Sequence, residues 1–169
     1  FGMSLESGVI HANRVGDMDS SILYFLESEG LSREEILKGC QKQGGLLGIS
    51  GVNNDCRYVL EAADAGNERA KLAIDVFVTN IVHYIGSFFV DLGGLDYLVF
   101  TAGIGEHSAP IRRAVCEKLA CLGVALDAAA NEACGEDVTA ISAAESGTEV
   151  LVIPTNEEIG IARRTYEFV

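Results

Sequence analysis

Hydrophobic residues in this chain follow two kinds of pattern. Between Asn67 and Gly93, apolar Ala70, Ile74, Phe77, Ile81, Ile85 and Phe88 recur at three- or four-residue spacing, with Lys71, Asp75, Thr79 and His83 on the other face. That period predicts one long amphipathic helix, capped by Asn67 and ended by Gly93-Gly94. After His83 the helix is apolar nearly all round, so its second half is expected to be buried centrally. Tyr97-Leu98-Val99-Phe100 is instead an unbroken apolar run and predicts a buried strand within 95–101.

The same reading extends along the chain. Gly8–Ala12 is expected as a short strand. Asp19 or Ser20 caps a helix stopped by Gly30, and Ser32-Arg33-Glu34-Glu35 is a capping box opening a helix to Lys42, ended by Gly44-Gly45. A turn-rich stretch, 46–55, precedes a short helix capped by Asn54. Beyond the 95–101 strand come a helix from Pro110 to Leu122, a strand at 123–126 and a short helix opened by Asp127. Strands at 138–141 and 149–153 follow, then a last helix capped by Thr155. Strands alternating with helices predict an α/β fold with a mainly parallel sheet. The chain reads as bipartite, with a mostly helical half, 1–93, joined to an α/β half, 94–169.

Composition narrows the function classes. The 169 residues suffice for one well-buried core or two small ones, and 12 basic against 25 acidic side chains leave a formal charge of −13. Such a chain is not expected to bind nucleic acid, which needs clustered Lys and Arg. A phosphorylated ligand carried with Mg²⁺ remains compatible, because the metal brings its own positive charge. Mean hydropathy is +0.25, yet no unbroken run approaches the roughly 18 apolar residues of a membrane span. No leader pattern marks Phe1. The five cysteines show no C-x-x-C spacing and read as reduced thiols of a cytoplasmic protein.

Four blocks could carry chemistry. Phe100-Thr101-Ala102-Gly103-Ile104-Gly105-Glu106-His107-Ser108 is a glycine-rich loop between a strand and a helix, where backbone N–H groups can approach a nucleotide. Asp127 sits where a dinucleotide-binding fingerprint would want its acid, but Ser108 occupies the third glycine position. A tight strand-to-helix turn explains the block equally well. Gly48–Arg57 reads as a binding loop or as a helix start with Asp55 on the helix dipole and Arg57 in solvent. Arg14, in Asn13–Asp19, could clamp a phosphoryl group with its planar fork, or pair with Asp17 or Asp19 on the surface. Ile153-Pro154-Thr155-Asn156-Glu157-Glu158 could offer a carboxylate to Mg²⁺ or be an ordinary acidic first turn. His11, His83 and His107 show no triad or metal-ligand spacing.

Taken together and in this order, the four blocks resemble the C-terminal part of the acetate kinase family, part of the actin-like superfamily of RNase H-like domains. Gly45–Gly51, Asn67–Ala73, Phe100–Glu106 and Val152–Glu158 carry the resemblance. It implies phosphoryl transfer between ATP and acetate, giving acetyl phosphate and ADP. It further implies that Arg14 stabilises the transferring phosphoryl group. Asp55, Cys56 and Arg57, with Gly103, Ile104, Gly105, Glu106 and His107, would bind ATP or ADP, and Glu157 would hold Mg²⁺. Within the resemblance His107 replaces an asparagine, Val15 a small polar residue and Tyr58 an acid, and 3–6 match loosely. The rest of the active site belongs to the family's N-terminal domain, so the chain alone is expected to be inactive. A homodimer through this part is implied as well. A propionate-preferring relative and a non-catalytic dimerisation module are the alternatives.

Overall fold

The computed structural model describes residues 7–168, apart from the side chain of Glu157. The chain divides into two compact units between Val90 and Asp91.

The first unit is helical: α1 (Ser21–Ser28), α2 (Arg33–Lys42), α3 (Gly45–Ser50), α4 (Cys56–Asp64) and α5 (Glu68–Leu92), the last running just past the boundary. Local signals account for most of the boundaries. Ser32 and Glu35 complete the reciprocal capping box at α2, and the Asn67 side chain accepts from Ala70 N–H at the start of α5. At α4 the cap is Asp55, one residue later than expected: its carboxylate accepts from Arg57 N–H, while Asn53 Oδ1 accepts from Asp55 N–H. Ile10, Ile36, Leu46, Val59, Ala73 and Phe77 are among the buried core residues. Each larger aliphatic or aromatic side chain buried there contributes about 1.5–3 kcal/mol.

Two expectations for this unit are corrected. No strand forms at 8–12, because this segment spends its backbone groups folding back on itself, with Asp17 N–H on Gly8 O and His11 N–H on Arg14 O. The buried residues of α5 are Ala70, Ala73, Phe77 and Val78, all in its first half. Phe88, Val90 and Leu92 are exposed, so being apolar all round did not make the second half a core helix. By length and composition alone α5 would span a bilayer. Its mid-helix polar groups serve the unit instead, Asn80 accepting from Ile10 N–H and Tyr84 donating to Asp17.

The second unit is mixed α/β: β1 (Tyr97–Phe100), α6 (Ala102–His107), α7 (Ala109–Lys118), a 3-10 turn at Ala120–Leu122, α8 (Ala128–Glu132), β2 (Thr139–Ala140), β3 (Glu149–Val152) and α9 (Glu157–Tyr166). The sheet order is β1-β3-β2. β1 and β3 are parallel, with Phe100 opposite Val152, while β2 runs antiparallel to β3. The larger pairing is thus parallel, as expected, with one short antiparallel strand added at the edge. Segment 123–126 contributes only a bridge from Leu126 to Ser142, because Ser146 Oγ, not a strand, takes the Ala125 N–H. β1 alternates, Leu98 and Phe100 buried and Tyr97 and Val99 exposed, so an unbroken apolar run did not mean burial on both faces. Leu98, Phe100, Ile111, Val115, Val150 and Val152 form the heart of this core.

Candidate functional site

In the first unit, Arg14 stands on a loop fixed almost entirely through its backbone. Val15 N–H donates to Cys40 O, Gly44 N–H to Asn13 O, Leu46 N–H to His11 O and Leu47 N–H to Ala12 O, at 2.9–3.1 Å. Two glycines permit this approach. A Cβ on Gly45, at φ +60°, would lie 2.0 Å from His11 O, and one on Gly16, at φ +71°, 2.6 Å from Gly8 O. Asp17 closes the loop, its carboxylate accepting from Gly8 N–H at 2.7 Å and from Tyr84 OH at 2.5 Å. The Tyr84 bond, then the Gly8 amide, hold the Asp17 carboxyl below its ordinary pKa.

These bonds exclude one reading of Arg14, a surface pair with Asp17 or Asp19. Asp17 is engaged as described and Asp19 accepts from Ser21 N–H, so neither forms an ion pair with Arg14. The guanidinium makes no side-chain hydrogen bond or ion pair among the described residues. Its charge is felt by His11, whose pKa is lowered first by partial burial and then by Arg14.

Asp55, Cys56 and Arg57 sit at the start of α4. Arg57 lies on its own cap residue, Nη2 at 2.6 Å from Asp55 Oδ2, with its side chain 82% exposed. Such an exposed pair contributes little to stability, so an anionic ligand can displace it readily. Its effect is visible in the Asp55 carboxyl, held below its usual range by the Arg57 side chain and then the Arg57 N–H. Cys56 points into the core. Burial, then the Asp55 charge, push its thiol up to about 11, so any ligand contact at this position falls to the backbone.

In the second unit the glycine-rich block and the 153–158 block leave the C-terminal ends of adjacent parallel strands, β1 and β3. Ile153 N–H donates to Phe100 O and Thr101 Oγ1 to Ile153 O, both at 2.9 Å. Outside the carboxyl ends of parallel strands is where open α/β sheets hold their ligands. The glycine block itself coils into α6 rather than remaining an open loop. Gly103 and His107 are exposed, while Ile104, Gly105 and Glu106 are half-buried.

Glu106 does not extend into solvent. One of its carboxylate oxygens, Oε1, accepts from Thr155 N–H at 2.9 Å and Thr155 Oγ1 at 2.8 Å. The amide first, then the hydroxyl, lower its pKa. Thr155 thus joins the two blocks, and Asn156, not Thr155, caps α9 by accepting from Ile159 N–H. α9 opens at Glu157, whose side chain lies outside the described residues. The backbone there continues directly from the segment that Glu106 clasps.

Two features of α6 are energetically unfavourable. Ala102 has φ +58°, a left-handed conformation costing a residue with a Cβ about 1–2 kcal/mol. Ser108 Oγ is buried without a hydrogen-bond partner among the described residues, a desolvation cost of about 1–3 kcal/mol. Strain of this kind concentrates at functional sites. Beneath α6 lies a group the sequence reading passed over. The Arg112 guanidinium, 2% exposed, donates to Gly105 O, Glu106 O, Asn131 Oδ1 and Asn131 O at 2.7–2.9 Å. A signal existed: Ile111, Arg112, Val115 and Cys116 form the buried stripe of α7, and the only charge on that stripe required a buried partner.

Comparison with known proteins identifies the family. The acetokinase family model matches residues 1–163. Acetate kinase of Clostridium novyi (strain NT) is 44% identical over 169 residues, covering 99% of this chain and 42% of that protein. The crystal structure of Porphyromonas gingivalis acetate kinase superposes with a TM-score of 0.89 at 39% identity, covering 99% of this chain and 42% of that one. A propionate kinase from Francisella tularensis superposes at 0.85, also with 39% identity, covering 92% of this chain and 40% of that one. The chain thus spans well under half the length of these relatives. From the ordered sequence blocks, the fold and these matches, the chain belongs to the acetokinase family.

Proposed function

We propose that this chain is the nucleotide-binding part of an acetate kinase, which moves a phosphoryl group between ATP and acetate. A carboxylate oxygen of acetate attacks the γ-phosphorus while the bond to the β–γ bridging oxygen breaks, releasing ADP and acetyl phosphate. Phosphoryl transfer requires positioning and charge neutralisation rather than covalent help from the protein. The observation that carries the reading is Arg14, whose backbone is held from both sides while its guanidinium has no side-chain partner among the described residues. Such a fork can donate to the equatorial oxygens of the transferring group.

In the second unit the backbone of Gly103–His107 would contact nucleotide; in the first, the start of α4 would do so, with Arg57 exchanging Asp55 for an anionic ligand. Mg²⁺, held by Glu157 together with the phosphates, would neutralise charge on the β- and γ-oxygens. The remaining groups are those the family carries in its N-terminal domain, with which this part would complete the site. Exposed Phe88, Val90 and Leu92 on α5 suit a homodimer contact. The five free cysteines suit a cytoplasmic enzyme.

Calorimetry with Mg·ATP tests binding by the chain, and an acetyl phosphate assay with the family's N-terminal domain added in trans tests catalysis. Binding by the chain and turnover only in the mixture are expected. Turnover by the chain alone, unaffected by Arg14→Ala, contradicts the reading. A propionate-preferring enzyme is the second reading, favoured by the likeness to the propionate kinase, and rates with acetate and propionate as competing acceptors separate the two.

A further inference from the structure

A left-handed alanine and an orphaned hydroxyl persist at the two ends of α6 only if something else over-determines its conformation. The group placed to do so is Arg112. Its Nη1 donates to Gly105 O at 2.9 Å and Glu106 O at 2.7 Å, carbonyls that a six-residue helix leaves without partners of its own. Its other donors, Nε and Nη2, bind Asn131 Oδ1 and Asn131 O at 2.7 Å each. Asn131 is itself fully buried, and its Nδ2 donates to Ala109 O at 3.0 Å. No carboxylate forms an ion pair with Arg112 among the described residues. Three carbonyl oxygens and one side-chain amide oxygen receive four of the five guanidinium N–H groups, so its position is set by geometry rather than by a mobile counter-charge.

We propose that Arg112, held by Asn131, is a positioning residue for nucleotide binding. It fixes the carbonyls of Gly105 and Glu106 and so presents the backbone of Gly103–His107 in its binding conformation before the ligand arrives. The inference rests on the nucleotide reading of that block. Lysine cannot substitute, because a single ammonium lacks the planar fork that meets acceptors on two elements at once.

The test uses the whole 169-residue chain as wild type, Arg112→Lys and Asn131→Ala, with Mg·ATP titrated by calorimetry. Amide hydrogen exchange is followed in the same samples without ligand. Arg112→Lys is expected to weaken Mg·ATP binding at least about tenfold. Its exchange should accelerate within 102–108 while β1 and β3 keep their wild-type protection, whereas a merely structural arginine would loosen the strands as well. Asn131→Ala should shift affinity and exchange in the same direction by less, and it keeps the test open if Arg112→Lys fails to fold. Wild-type affinity and wild-type exchange in the folded variants overturn the inference alone. Absence of Mg·ATP binding by the wild type overturns the nucleotide reading and this inference with it.

Discussion

The Arg14 loop and the glycine-rich block solve opposite problems. On the Arg14 loop the proposed working group is a side chain; the backbone is pinned by neighbouring amides and carbonyls, and the guanidinium has no side-chain partner among the described residues. In α6 the proposed working groups are backbone atoms, and buried and clasping side chains, Arg112 and Glu106, do the pinning. Glycine follows the same division. Gly45 is required where two backbones meet, whereas an alanine is forced into glycine's conformation at position 102. What must stay free determines what is used to hold it.

The contrast breaks most visibly at Arg14. In the reconstituted enzyme Arg14→Ala should lower turnover by about 10³-fold or more, while the thermal midpoint of the chain stays at its wild-type value. A large loss of stability would mean that Arg14 is structural and the contrast false. Gly45→Ala should act the other way, destabilising by about 3 kcal/mol in urea denaturation, since a Cβ there meets the His11 carbonyl at positive φ. Ala102→Gly should stabilise by about 1 kcal/mol through relief of the left-handed strain. Opposite signs for these two exchanges would sharpen the comparison, and equal signs would dissolve it.

The smallest expected effect is on pH dependence. Glu106 and Asp17 both have pKa values below the ordinary carboxylate range in the folded chain. Their contribution is therefore fully present above the unfolded value, about 4.3 for Glu and 3.9 for Asp, and is lost as pH falls through the lower folded values. Denaturation midpoints followed from pH 6 downward should decline in this acid window. The decline should be shallower in Glu106→Gln, and an unchanged slope would remove the Thr155 clasp from the account.

What the sequence disclosed was whatever is decided locally. The Ser32 capping box and the Asn67 cap need only neighbours three residues away, and both appear as expected. α3 escaped because its glycines read as a turn, whereas its first amides are held by His11 O and Ala12 O, more than thirty residues earlier. The second half of α5 and the outer face of β1 escaped for a related reason, since periodicity reports which side is apolar but not what covers it. Arg14 was legible as a residue type able to clamp phosphate. That Asp17 would be engaged elsewhere depended on Tyr84, far along the chain on α5. Thr155 looked like a helix cap and proved to be the link between two blocks of the site.

The most direct test of the central claim is a hydrogen-exchange footprint of Mg·ATP on this chain. The account predicts new protection at 101–108, at the start of α4 and at 153–156, with α1 and α2 unchanged. An unchanged exchange pattern at saturating nucleotide, or protection confined to other segments, would contradict it.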